Sequence, residues 1–76
     1  LFNAHGAELL ASLKSETSDD YVILVKWRNE YVVARIASLE AEEWYWGNYF
    51  PTTDDGWNRA FGRFMHRAGK PIQPDM

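Results

Sequence analysis

The sequence predicts an α+β domain with the element order helix, strand, strand, strand, helix, and three observations predict it. The first is Trp44–Phe50, where five of seven consecutive residues are aromatic. The second is a pair of β-branched and aromatic runs, Tyr21 to Trp27 and Tyr31 to Ala37, separated by Arg28, Asn29 and Glu30. The third is the stretch from Asp55 to Ala68, whose apolar residues recur at helical spacing. Three such strands joined in order form an antiparallel meander, 1-2-3, on which the helices pack in a two-layer design.

Each element has its own grounds. Residues 3 to 14 read as the first helix: Asn3 can cap it, and Phe2, Leu9, Leu10 and Leu13 fall near one side, with Gly6 as its weak point. Residues 15 to 20 are a polar loop. A two-residue turn at Asn29-Glu30 pairs Trp27 with Val32, Val25 with Ala34 and Ile23 with Ile36; a three-residue turn shifts the register by one and swaps the facing sets. The acidic segment from Ser38 to Glu43 connects to the third strand, Trp44 to Phe50. Pro51 breaks the sheet, Thr52, Thr53 or Asp54 caps the last helix, and Asp54 and Asp55 favour the positive end of its dipole. Gly69 stands at the C-terminal left-handed position and Pro71 forbids continuation. The tail, residues 70–76, is expected to be ordered only where it packs on something.

At 76 residues the chain is one small domain, residues 1–76. A chain this size buries only about 60% of its unfolded surface and often needs staples. It has no cysteine, so disulfides and thiolate metal sites are excluded. The aromatic residues are the substitute, each burying roughly 150–250 Å². With 46% hydrophobic and 25% charged residues the balance is that of a globular protein. No run approaches the roughly 20 apolar residues a membrane helix requires, and no basic-then-apolar leader is visible. The sequence reading is therefore a cytoplasmic protein without a membrane partner.

The aromatic strand carries more rings than a one-sided core requires. Strand alternation puts Trp44, Trp46 and Phe50 on one face and Tyr45 and Tyr49 on the other. One helix covers one face of three short strands. At least two of Trp44, Tyr45, Trp46 and Tyr49 are thus expected to stay exposed as a protein-binding surface, for a second copy of the chain or for another protein.

The last helix has two contrasting arcs. Trp57, Ala60, Phe61, Phe64, Met65 and Ala68 share the apolar one, with Trp57, Phe61, Phe64 and Met65 expected to pack on the sheet; Arg59, Arg63, His66, Arg67 and Lys70 share the other. The first 56 residues hold ten acids against four Lys and Arg, whereas Trp57 to Lys70 holds no acid at all. An alternative function follows: Arg59, Arg63, Arg67 and Lys70 as a surface for nucleic acid or phosphate. The net charge of −3 weighs against nucleic acid as a general partner.

Chemical motifs are missing. His66 has no His or carboxylate three or four residues on and His5 has only Glu8, too few ligands for a metal site; Glu40, Glu42 and Glu43 fit no calcium loop; no serine sits in a nucleophile elbow. No catalytic residue, metal site or cofactor is assigned. The predicted element order resembles that of double-stranded-RNA-binding domains, and the resemblance is one of order. Those domains place lysines where the last helix begins; here Thr53 to Trp57 is acidic and lacks lysine, so no functional residue is carried over. The expected function is a small, non-enzymatic protein-interaction module, a regulator or inhibitor, that binds through its aromatic strand.

Overall fold

The computed structural model describes residues 2–16 and 18–69. It is an α+β fold, but the sheet has four strands. β1 (Glu8–Lys14), β2 (Tyr21–Trp27), β3 (Glu30–Ile36) and β4 (Tyr45–Pro51) form an antiparallel meander in the order β1-β2-β3-β4, followed by the helix α1 (Asp54–Arg67). The predicted three strands are β2, β3 and β4. No helix among the described residues is long and apolar enough to cross a membrane. The tail from Lys70 lies outside them.

The first predicted helix is a strand. Ala4–Gly6 is a single 3-10 turn in which His5 (φ 53°) and Gly6 (φ 68°) are left-handed, and β1 follows directly. A bulge explains the misleading pattern. The pairing of β1 with β2 slips between Leu9 and Ala11, so Leu10 stands outside the alternation and is exposed. With one residue added, Leu9, Leu10 and Leu13 mimic helical spacing. The predicted order thus holds from β2 to α1, with a fourth strand in place of the first helix, and the resemblance that rested on the full order goes.

The β2–β3 turn is one step earlier than predicted. Arg28 (φ 51°) and Asn29 (φ 62°) are its central residues, both left-handed as a tight primed turn requires. Trp27 therefore faces Glu30, and Val25 faces Val32. The register differs by two residues from the two-residue alternative and by one from the three-residue alternative, so the facing sets are those of the former.

Both faces of the sheet are covered. On one, Val22, Leu24 and Val33 pack under Ala60, Phe64 and Ala68 of α1. On the far face, Ile23, Val25, Val32, Ala34 and Ile36 are fully buried beneath irregular chain: Phe2, Ala4 and Ala7 from the N-terminal segment, Leu39, Ala41 and Trp44 from the β3–β4 connection. His5 locks this lid. Its ring sits 4.6 Å from Trp44 and 5.5 Å from Trp27, and its carbonyl accepts a hydrogen bond from Trp27 Nε1 at 3.2 Å.

The helix is positioned by its start. Thr53 caps it by accepting from the Gly56 amide at 2.9 Å, and Gly69 (φ 80°) closes the other end. Gly56 lets the first turn press on β4: a Cβ there would lie 1.8 Å from the Pro51 carbonyl oxygen. The sheet-facing stripe is Gly56, Ala60, Phe64 and Ala68. Trp57 and Phe61, predicted as core, are instead 37% exposed on the helix flank, because the small residues bring the helix axis close and push the neighbouring rings outward.

Candidate interaction surface

β4 does not alternate as predicted. Its pairing with β3 runs regularly from Glu30↔Pro51 to Val33↔Asn48 and then slips, so that Arg35 faces Tyr45. The extra residue lies at Trp46, which adopts φ 56°, a conformation rare for so bulky a side chain. The bulge reverses the expected grouping. Tyr45 and Phe50 lie on the helix face, opposite Arg35 and Tyr31; Trp44 and Tyr49 lie toward the far face; Trp46 stands at the edge.

The four predicted rings have unequal exposure. Trp46 is 73% exposed, Tyr49 48% and Tyr45 38%, whereas Trp44 is half-buried in the lid. Tyr49 lies over Gly47: a Cβ at Gly47 would sit 2.9 Å from its hydroxyl oxygen. That hydroxyl accepts from Trp44 Nε1 at 3.4 Å. Tyr45 and Trp46 meet edge-to-face at 5.1 Å.

The bulge is held by the helix. α1 runs back along β4, and near its end Arg67 reaches under the strand. One terminal nitrogen donates to the Trp46 carbonyl at 2.6 Å, to Asn48 Oδ1 at 2.9 Å and to the Val33 carbonyl at 3.0 Å. Burial and the nearby Arg35 and Arg63 cations push the Arg67 pKa below its usual value; three carbonyl-type acceptors stabilise the charge where it sits.

A second network anchors Tyr45. Asp20 accepts hydrogen bonds from Ser18, from the Tyr45 hydroxyl and from Arg35, the last as an ion pair at 3.0 Å. The Ser18 and Tyr45 bonds, with Arg35 beside them, hold the Asp20 carboxyl at about 2 against a usual 3.8. The same contact with Asp20 raises the Tyr45 phenol.

The predicted basic surface is accordingly divided. Arg67 is a tether to backbone, not an exposed cation. Arg59 pairs with Asp55 at 3.5 Å and lies 6.0 Å from the Phe50 ring. Arg63 and His66 are exposed, and Lys70 lies outside the described residues. The two predicted sites, aromatic strand and basic helix, adjoin along the β4 edge, where Arg67 touches Trp46.

Sequence reasoning missed Arg67, Asp20 and Arg35 as the supports of this edge. Their partners are far away in sequence, and the one visible signal was Gly47, an isolated glycine inside a strand that marks a bulge. It also missed the flank of α1, where Trp57 meets Tyr31 at 5.3 Å and stacks on Phe61 at 6.0 Å. No metal-competent cluster of His, Cys, Asp and Glu occurs among the described residues. No family model, curated protein or solved structure matches the chain.

Proposed function

We propose that the protein is a non-catalytic interaction module that engages a protein partner through the β4 edge, with Trp46 as its central anchor. The observation that carries this is the state of Trp46: 73% exposed, left-handed at φ 56°, and pinned through its carbonyl by Arg67. A left-handed bulky residue costs on the order of 1–3 kcal/mol and persists only where its surroundings over-determine it. Nothing inside the chain is gained by holding an indole in water, whereas Trp is the side chain most enriched among interface hot spots. Tyr49 and Tyr45 flank it.

Charge supports a foreign partner over self-pairing at this edge. Exposed Arg63 lines the helix beside it, next to Arg59 in its pair with Asp55, and a two-fold contact through Trp46 would bring Arg63 against its own copy. An apolar cleft with an acidic rim is the complementary partner surface.

The test is photo-crosslinking in the native host with a reactive residue in place of Tyr49, followed by calorimetry on the purified pair. Trp46→Ala is expected to weaken binding about 30-fold or more, the scale of a hot spot. A partner bound equally well by Trp46→Ala and Tyr49→Ala would overturn the proposal.

The alternative reading, a nucleic-acid or phosphate surface, keeps one supporting observation: exposed Arg63 stands on the same edge as the exposed rings. It predicts oligonucleotide binding that weakens as salt rises and falls further in Arg63→Ala. No shift of a labelled single strand at low salt removes it.

A further inference from the structure

We infer that a separate surface, the flank of α1 above β1, is the site where a second copy of this chain binds. It is distinct from the Trp46 edge and does not depend on it.

The vacancy arises from simple dimensions. Four strands span about 14 Å between the outer strand axes, and a helix is about 10–12 Å across with its side chains. α1 lies over β2, β3 and β4. On the β1 side its flank presents a ridge, Trp57, Phe61 and Met65, at intervals of four residues. Tyr31 continues the ridge from the sheet, touching Trp57 at 5.3 Å. Beside it lies a lower strip, Ala11 and Leu13 of β1, half-buried on the same face. Trp57 and Phe61 are each 37% exposed despite stacking on one another.

The surface fits itself better than it fits a charged partner. A two-fold contact requires a patch that is complementary to its own copy. A ridge next to a lower strip meets that requirement: the ridge of one copy lies on the strip of the other. The charges around it have both signs. Lys26 stands opposite Tyr31, Glu8 stands opposite Lys26, and Asp54 opens the helix. Glu8 and Lys26 face each other across the strands, and neither forms an ion pair among the described residues, so both can meet the opposite charge of a second copy. The two surfaces lie on opposite flanks of α1, so a dimer formed through one leaves the other open. The assembled protein would present two Trp46 anchors.

Sedimentation equilibrium of the whole chain tests this, with Phe61→Glu and Trp46→Ala beside the wild type. The wild type is expected to be dimeric at about 100 µM, a range that even a modest isologous contact reaches. Phe61→Glu should weaken the dimer about 30-fold or more, since it places a carboxylate in the centre of an apolar contact, and Trp46→Ala should leave it unchanged. Phe61 is partly exposed, and a thermal melt checks that the variant folds; should it not, Met65→Glu at the other end of the ridge replaces it. A wild type that is monomeric at that concentration overturns the inference. So does a dimer that survives both flank variants, or one that Trp46→Ala dissolves.

Discussion

The Arg67 guanidinium donates to the carbonyl of Trp46 at 2.6 Å, across 21 residues of sequence. One side chain of the helix thereby fixes the backbone of the strand at its one left-handed residue. The arginine that sequence periodicity groups with exposed Arg59 and Arg63 is structural.

Arg67→Ala is expected to destabilise the domain by about 2 kcal/mol, through the loss of charge-assisted bonds to three acceptors. Arg63→Ala should stay within about 0.5 kcal/mol of wild type, as exposed charges do. Denaturant midpoints compare the two. Equal effects would mean that the tether contributes nothing beyond a surface charge.

The aromatic residues of α1 should separate in the same assay. Phe64→Ala removes a ring that is 2% exposed at the centre of the helix–sheet contact, and about 3–5 kcal/mol should be lost. Phe61→Ala should cost a monomer about 1 kcal/mol or less, because its ring keeps much of its contact with water in the folded state. Comparable losses would show Phe61 to be core.

Two glycines of one helix should respond in opposite directions. Gly56→Ala places a methyl 1.8 Å from the Pro51 carbonyl oxygen, and only backbone movement relieves the clash. A loss of about 3 kcal/mol or more is expected. At Gly62 an added Cβ meets nothing within 4 Å, so Gly62→Ala should stabilise by about 0.5–1 kcal/mol through helix propensity alone. Thermal melts of both variants check the pair.

Acid should act through Asp20. Its carboxyl titrates at about 2 in the folded chain against a usual 3.8. A depressed folded pKa means stability that is complete above the unfolded value and lost as pH falls through the folded one. The contribution of Asp20 should therefore fade between pH 4 and pH 2. Asp20→Asn, which keeps the shape without the charge, should flatten the stability profile in that window and lower the plateau above it. An unchanged profile would show that other carboxylates govern acid unfolding.

Elements with an uninterrupted period were legible in the sequence. The last helix, a cap within Thr52 to Asp54 and the Gly69 terminus follow from spacing and capping chemistry, and the β2–β3 hairpin from two β-branched runs around a polar turn. What was not legible traces to single inserted residues. Leu10 turned a strand into an apparent helix, and Trp46 exchanged the faces of half an aromatic strand. The surplus of rings was visible by counting; which of them stays exposed depends on the bulge, and the bulge depends on Arg67 arriving from the far end of a helix. The sheet-facing stripe was misjudged because hydrophobic size was taken as the guide to burial, whereas close approach at Pro51 favoured Gly56 and Ala60 over Trp57 and Phe61.

The two bulges have a consequence for the protein in bulk. A meander leaves two outer strands, and here each of them, β1 at Leu10 and β4 at Trp46, is interrupted near its middle or its start. A strand arriving from another molecule meets only a few residues of straight ladder before the hydrogen-bonding groups turn away. Fibrils grow by adding strand to strand in unbroken register. A chain with 46% hydrophobic residues and an indole held in water therefore carries its protection against polymerisation in its backbone, and straightening either edge by deleting Leu10 or Trp46 should shorten the lag before thioflavin-positive aggregates form.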